Sequence, residues 1–172
     1  ASKLYSDKFG KKIMFNTEFV PAENLGHKFS GWDRKDGYKV NRDIYNSYLY
    51  IVEDDSTDIF DKLAMQGKDV MQYLDGGAAT HLNLQESPSA GTWLKIIDKA
   101  TEYGNNYFCY NVRSTCCEDC GYISKKDLDE CPKCHSENVS YLTRVIGYLK
   151  KISSFSAARQ KEAGLRFYHK KI

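Results

Sequence analysis

Residues 117–149 read CEDCGYISKKDLDECPKCHSENVSYLTRVIGYL, and they contain two Cys-x-x-Cys pairs, Cys117 with Cys120 and Cys131 with Cys134. Ten residues separate the pairs, so each pair can form one side of a tetrahedral site. Four thiolates select zinc, or iron in a rubredoxin-like site. A shell of four cysteines leaves no open coordination position, so we predict a zinc ribbon whose metal is structural and not catalytic.

The distribution of cysteines indicates the environment of the chain. All six lie within residues 109–134, and the N-terminus has no apolar leader. A secreted disulfide scaffold would spread its cysteines, so this cluster favours a metal site in a reducing compartment. We interpret Cys109 as a core residue and Cys116 as a bystander beside the ligands. Gly121 follows the first pair, where the backbone must turn sharply.

The composition excludes several classes of protein. The chain has 172 residues, of which 41% are hydrophobic and 28% charged, and its formal net charge is +2. This balance excludes a strongly basic nucleic-acid coat and an acidic tail protein. No stretch approaches the roughly 18 apolar residues of a membrane span, so no membrane partner is expected. Acidic residues surround the cysteines and argue against a nucleic-acid-binding ribbon: Glu118, Asp119, Asp127, Asp129 and Glu130.

Strand and helix signals alternate before residue 113 and predict an α/β fold. Strands are expected at residues 11–16, 79–84 and 106–112, and residues 41–52 could be strand or loop. One helix is expected from Glu23 to about Asp33. A second is expected to begin at a cap at Ser56 or Thr57 and to follow an apolar pattern to Gly76, with Gly67 as a candidate break. A third carries the apolar face of Trp93, Ile96, Ile97, Ala100 and Tyr103 up to Gly104.

The C-terminal part is predicted to be extended at residues 139–149 and helical at its end. Ser153 or Ser154 is expected to cap the last helix, which would end near His169. Residues 150–172 contain seven lysines and arginines against one glutamate. We interpret this charge as a solvated helix face, and a docking surface for another protein is the alternative.

Residues 143–149, TRVIGYL, resemble the RVxGY glycyl radical motif of anaerobic (class III) ribonucleoside triphosphate reductases. In that family a four-cysteine zinc ribbon lies immediately upstream, as the ribbon does here. The agreement extends backwards through NYF at 106–108, DGG at 75–77 and PAE at 21–23. The resemblance covers essentially the whole chain, but it matches only the C-terminal part of much longer family members.

The resemblance implies a fold and three regions. Residues 1–113 would form the second part of a ten-stranded α/β barrel, residues 114–138 the zinc ribbon, and residues 139–172 a glycyl radical loop with a terminal helix. A large partner chain would carry the active-site cysteine and the nucleotide effector sites, in a hetero-oligomer built on a dimer. The chain is then a small subunit of a split enzyme or a fragment, in the cytoplasm of an anaerobic microbe or its phage.

The resemblance places the radical on Gly147. A glycyl radical is delocalised between the amide nitrogen and the carbonyl, and only hydrogen at Cα leaves that centre planar. Arg144 and Tyr148 are implied to support the loop, and ordinary strand roles are the alternative. Glu23 is implied to lie at the barrel mouth, where a carboxylate could accept a proton from the ribose 3′ hydroxyl. Its alternative role is to complement the dipole of the helix that it begins.

The resemblance also implies how the radical is formed and used. An activating enzyme with S-adenosylmethionine and a [4Fe–4S] cluster would abstract the glycine hydrogen. The radical would then pass to a cysteine on the large chain, which reduces ribonucleotides to deoxyribonucleotides. One alternative is a spare-part protein that repairs an oxygen-damaged reductase, and another is a zinc-ribbon nucleic-acid-binding module.

Overall fold

The computed structural model describes residues 1–22, 24–144 and 148–170, and it shows a mixed α/β fold. Its helices are α1 (Ser2–Phe9), α2 (Asn24–Lys35), α3 (Ile59–Met65), α4 (Lys68–Met71), α5 (Ala90–Tyr103) and α6 (Ala157–Leu165). Its strands are β1 (Glu18–Phe19), β2 (Gly77–Ala78), β3 (Thr80–Leu84), β4 (Phe108–Val112), β5 (Ser114–Cys117), β6 (Ile123–Ser124), β7 (Val139–Arg144) and β8 (Leu149–Lys151). A 3-10 turn spans Ile152–Ser154. Within the described ranges, no helix is long and apolar enough to cross a membrane.

Parallel strand pairs form the first part of the chain. β1 pairs with β2 over two residues, and β3 pairs with β4 over five residues. Both pairs are parallel. The C-terminal segment also adds to β3, because His169 forms a parallel bridge with Leu84. All five residues of β3 are buried, although the sequence alternates between apolar and polar. Burial on both faces is typical of parallel strands, which other elements cover on each side.

Helix α5 packs on these strands through four of the five residues that the sequence predicts. The prediction for the fifth, Ile97, is wrong, because its side chain is 47% exposed. The side chain of Ser89 accepts a hydrogen bond from the Thr92 N–H, and Gly104 ends the helix with a left-handed φ of 80°. Ile96 and Ala100 are buried, and Trp93 and Tyr103 pack against the same core. The core consists of Ile59, Leu63, Leu82, Leu84, Ile96, Ala100 and Val112.

An antiparallel sheet follows the parallel strands, in the order β6-β5-β7-β8. β5 carries the first ligand cysteine and pairs with β7 from Cys117 opposite Val139 to Ser114 opposite Leu142. β7 pairs with β8 on its other side, where Arg144 lies opposite Leu149. One strand, β7, therefore runs from the cysteine region to the segment that contains Gly147.

The strand predicted at residues 11–16 is wrong, since β1 is a two-residue strand further along the chain. The backbone of the predicted strand binds side chains of α1 instead. The Ile13 N–H donates to Ser6 Oγ at 2.8 Å, and the Phe15 N–H donates to Ser2 Oγ at 3.2 Å. Because these donors are already used, they do not enter a strand ladder.

Two predicted helix caps are also wrong. Asp58 caps α3 by accepting hydrogen bonds from the N–H groups of the first turn, and Ser56 and Thr57 donate to Asp54 instead. Ser156 caps α6 in place of Ser153 or Ser154, because those two residues belong to the 3-10 turn. The helix ends at Leu165, before the predicted end near His169. Residues 41–52, left open as strand or loop, contain no helix or strand.

The core accounts for a first testable difference within α5. Ile96 is fully buried, whereas Leu94, two residues earlier, is 64% exposed. Ile96→Ala is expected to lower the free energy of unfolding by about 2–5 kcal/mol, because it removes buried methyl groups and leaves a cavity. Leu94→Ala is the control and should change it by less than about 0.5 kcal/mol. Denaturant titration of both variants measures this, and equal losses would contradict the assigned orientation of α5.

Candidate metal centre

Four cysteine sulfurs converge beside β5. The Sγ atoms of Cys117, Cys120, Cys131 and Cys134 all lie within 4.8 Å of one another. Cys117 and Cys134 are 3.6 Å apart at Sγ, and so are Cys120 and Cys131. A tetrahedral zinc with Zn–S bonds of about 2.3 Å separates its sulfurs by about 3.8 Å. The donor set therefore fits a zinc ion, or a similar ion that prefers thiolates.

The two Cys-x-x-Cys segments have the same backbone geometry. The Gly121 N–H donates to the Cys117 carbonyl at 3.1 Å, and the His135 N–H donates to the Cys131 carbonyl at 2.9 Å. Gly121 and His135 have positive φ angles of 70° and 59°. The turn at Gly121 agrees with the sequence prediction, but the equivalent role of His135 was not predicted. Histidine tolerates this conformation better than most residues, so its position directly after Cys134 was a usable signal.

Backbone amides and neighbouring thiols act on the sulfurs in opposite directions. Burial disfavours the thiolate of Cys131, but N–H groups of Lys133 and Cys134 favour it, and the pKa is lowered to about 7. A backbone N–H from Ser136 favours the thiolate of Cys134, but the nearby Cys120 thiol and burial outweigh it and raise that pKa to about 12. Without a cation, four clustered thiols cannot all ionise, because each thiolate disfavours the next.

The remaining polar groups near the cysteines point to structural roles. His135 Nδ1 lies 2.6 Å from Glu130 Oε1, in an exposed pair beside the sulfur cluster. The carboxylate of Asp119 accepts a hydrogen bond from Asn138 Nδ2 at 2.7 Å and another from Ser136, which fixes the two turns relative to each other. Cys116 lies in β5 beside Cys117 but outside the four-sulfur cluster.

Two predicted site residues, Glu23 and Gly147, lie outside the described residues. Of the loop-support residues, Tyr148 is 60% exposed and Arg144 is half-buried at the end of β7. Residues 145–148 connect β7 to β8 in the sequence; we call them the β7–β8 connection. The metal centre and this connection thus lie at opposite ends of β7, which spans roughly 20 Å.

A buried polar cluster lies beside the end of β7. Asn111 Nδ2 donates to Asn83 Oδ1 at 2.9 Å and to Thr143 Oγ1 at 2.8 Å, and Thr143 also contacts the Tyr168 hydroxyl at 3.1 Å. Asn111 and Thr143 have no exposed surface. Buried amides are costly unless they are hydrogen-bonded, so these contacts fix the side chain of Asn111.

Helix α6 adds a buried ion triad, formed by Arg159, Glu162 and Arg166. Arg159 Nη1 donates to Glu162 Oε2 at 2.9 Å, and Arg166 Nη2 donates to Glu162 Oε1 at 2.8 Å. Burial disfavours the carboxylate, but the two guanidinium groups outweigh it and lower the pKa of Glu162. The predicted solvated face is therefore wrong for both arginines, which are less than a tenth exposed.

Comparison with known proteins assigns the chain to a family. The sequence model of the family described as anaerobic ribonucleoside-triphosphate reductase matches residues 4–169. The chain belongs to this family. An anaerobic ribonucleotide reductase of known structure matches 99% of the chain with a TM-score of 0.83 and 26% identity. This confirms the resemblance found in the sequence.

Two structures of the anaerobic ribonucleotide reductase from Thermotoga maritima agree. The structure in complex with dATP and CTP matches 94% of this chain at 26% identity, with a TM-score of 0.75. The structure with glycerol in the active site matches 94% at 27% identity, also with a TM-score of 0.75. The chain covers 27% of the first reductase and 26% of these two. It therefore spans about a quarter of the length of the reductases that it matches.

The sulfur cluster predicts metal content directly. We expect about one zinc ion per chain, because four thiolates close a tetrahedral shell. Cys134→Ala should lose zinc to a chelator that leaves the unmodified protein loaded, since one ligand is missing. Cys116→Ala removes the neighbouring thiol outside the cluster and should keep its zinc. Elemental analysis after dialysis tests both variants, and zinc retained by Cys134→Ala or lost by Cys116→Ala would contradict the ligand set.

Proposed function

We propose that this chain is the glycyl radical region of an anaerobic ribonucleoside-triphosphate reductase and that Gly147 carries the radical. The observation that carries the proposal is the RVIGY sequence at the end of β7, in a chain that belongs to this reductase family. Gly147 belongs to the β7–β8 connection, whose flanking residues Arg144 and Leu149 are paired. The flanking strands can therefore present the connection without unfolding of the ribbon.

The proposed chemistry uses the Cα–H bond of Gly147. A radical SAM activating enzyme removes that hydrogen atom, and the unpaired electron is delocalised over the flanking amide and carbonyl. During turnover the glycyl radical takes a hydrogen atom from a cysteine on the large part of the reductase. The resulting thiyl radical starts the reduction of a ribonucleotide. Cys109 is half-buried, and burial raises the pKa of its thiol. We therefore assign the cysteine that forms the thiyl radical to the partner region, and not to Cys109.

Other residues have supporting roles in this proposal. Arg144, which precedes the β7–β8 connection, and Tyr148, its last residue, support the radical site. Glu23, next to the start of α2 in the sequence, is the carboxylate on the substrate side. The metal bound by Cys117, Cys120, Cys131 and Cys134 is a structural zinc. It holds β5 and β7 together at the end opposite to Gly147.

A large partner region is proposed from the exposed surface and the length of the chain. Apolar side chains remain exposed on and near the first two helices, including Phe9 (55%), Phe29 (43%) and Trp32 (51%). Phe29 and Trp32 also contact each other, with ring centroids 5.5 Å apart, and exposed apolar groups of this kind are typical of interfaces. Short parallel ladders also need further strands to be stable. We propose that residues 1–113 complete a barrel with the remaining three quarters of the reductase, next to a ribbon at 114–138 and a radical loop and helix at 139–172.

The acidic ribbon does not favour the nucleic-acid-binding alternative. Glu118 is paired with Lys151, and Asp127 with Arg113, so carboxylates of the ribbon neutralise these two basic side chains. Nucleic-acid-binding modules instead present an unpaired basic surface. We retain the reductase function and place the enzyme in the cytoplasm.

Oxygen provides a direct test of the radical position. Exposure of the activated protein to air should cut the backbone at Gly147 and leave a large fragment that ends near Ile146. Gly147→Ala should abolish this cleavage but keep the zinc, because the ligands lie elsewhere. Gly164→Ala is the matched control, because an added Cβ meets no atom within 4 Å there. Mass spectrometry maps the fragments, and cleavage at Gly164 or Gly121, or unchanged cleavage in Gly147→Ala, would contradict the assignment.

A second expectation concerns activity in isolation. The chain alone, activated anaerobically, should form no deoxyribonucleotide, because the cysteine that attacks the ribose is proposed to lie outside it. Adding the remaining reductase chain should restore turnover. The assay counts deoxyribonucleotide per chain, and the zinc content of the same sample shows that the ribbon is intact. Turnover by the isolated chain would refute the proposed partner.

A further inference from the structure

The last residue of β7 is bound through its backbone by side chains of two other elements. The Arg144 N–H donates to Asn111 Oδ1 at 2.9 Å, and the Arg144 carbonyl accepts from Arg166 Nη1 at 2.8 Å. Gly147 follows three residues later in the sequence. Two side chains from β4 and the end of α6 therefore hold the residue that precedes the β7–β8 connection.

Asn111 and Arg166 bind Arg144 at the point where β5 no longer pairs with β7. The pairing of β5 with β7 ends at Ser114, opposite Leu142, two residues before Arg144. Backbone groups at the end of a strand need partners, and buried ones are almost always satisfied. At Arg144, a carboxamide and a guanidinium make the hydrogen bonds that a longer β5 would make. Unlike a strand, each can be removed by a single substitution.

The carboxamide of Asn111 is held in one orientation. Its Nδ2 is used by Asn83 and Thr143, so its oxygen is directed at the Arg144 N–H. Asn83 lies opposite Asn111 in the β3–β4 register, and both asparagines are buried. Of these two asparagines, Asn111 is the one that binds the Arg144 N–H, which makes them a matched pair for comparison.

The guanidinium of Arg166 joins two elements through its planar fork. Nη2 binds Glu162 in α6, and Nη1 binds the Arg144 carbonyl in β7. Arg159 binds the same carboxylate, but it also donates to Ser47 Oγ at 3.3 Å and not to the backbone of β7. A lysine could replace either charge, but an ammonium does not reproduce two bonds in a fixed fork. Arg166→Lys and Arg159→Lys therefore differ chiefly in whether the bond to Arg144 is lost.

We propose that Asn111 and Arg166 are positioning residues that fix the end of β7 and so determine how the β7–β8 connection is presented to its activating enzyme and how readily it reacts with oxygen. The placement of the connection then depends on the docking of α6. The chemical consequence rests on the proposed function of Gly147, but the geometric claim does not.

Hydrogen–deuterium exchange of the assembled reductase tests the geometric claim. Arg166→Lys should accelerate exchange in peptides that cover residues 144–150 by about tenfold, the size expected for loss of one charge-assisted hydrogen bond. Arg159→Lys should leave these peptides within about twofold of the unmodified protein. Peptides from the zinc ribbon serve as internal references and should not change in either variant.

The asparagine pair keeps the test valid if an arginine variant folds poorly. Asn111→Ala should accelerate exchange at residues 144–150, and Asn83→Ala should affect them much less, although both remove a buried amide from the same ladder. Equal effects of Arg166→Lys and Arg159→Lys, or of the two asparagine variants, would overturn the proposal. So would an unchanged exchange rate in Arg166→Lys.

The radical gives a second readout that a purely structural role would not alter. After activation, Arg166→Lys should show a lower radical yield and faster cleavage in air than Arg159→Lys, at equal zinc content. If the unmodified reductase forms no radical, the proposed function of Gly147 fails and the exchange results still decide the positioning role. If it forms a radical and the two lysine variants match in yield and cleavage rate, the positioning proposal fails.

Discussion

The hydrogen bonding of β7 on both of its sides is the constraint on which the rest of the C-terminal region depends. β5 pairs with one edge and β8 with the other, so β7 is the central element between the cysteine cluster and the β7–β8 connection. Where β5 ends, Asn111 and Arg166 continue the pairing with side chains. The four sulfurs tie β5 to the second Cys-x-x-Cys segment, which leads directly into β7. Displacement of β7 would therefore disturb the metal centre and the connection together.

The metal centre and the proposed radical site are at opposite ends of the same strand, β7. Thiolates and a bound cation would stabilise one end of β7, and the buried ion triad of α6 lies against the other. Buried ion pairs contribute little net stability, but breaking one partner is costly because it leaves a buried charge. The ion triad is therefore better suited to holding the end of β7 in one position than to raising the stability of the fold. In the reductase that we propose, both strands that flank the reactive glycine are then held in place.

The sequence predicted the features that depend on local spacing or periodicity. The four cysteines cluster as their spacing requires, and α5 buries the predicted apolar face except at Ile97, which is exposed. The family followed from RVIGY beside the ribbon and is confirmed. The burial of Arg159 and Arg166 was missed, because a run of basic residues ordinarily predicts solvent exposure. Both arginines bind one carboxylate, that of Glu162, and the sequence does not identify it as their shared partner. The strand at 11–16 failed because Ser2 and Ser6 take its backbone donors, a contact that periodicity does not reveal.

The central claim, that this chain stores a radical on a glycine, is tested most directly by electron paramagnetic resonance of the activated reductase. In protein containing ordinary glycine, the spectrum should be a doublet, from coupling to the single hydrogen that remains at Cα. In protein made with glycine deuterated at Cα, the doublet should collapse to a single line. A signal unchanged by deuteration, or a doublet that persists in Gly147→Ala, would contradict the account.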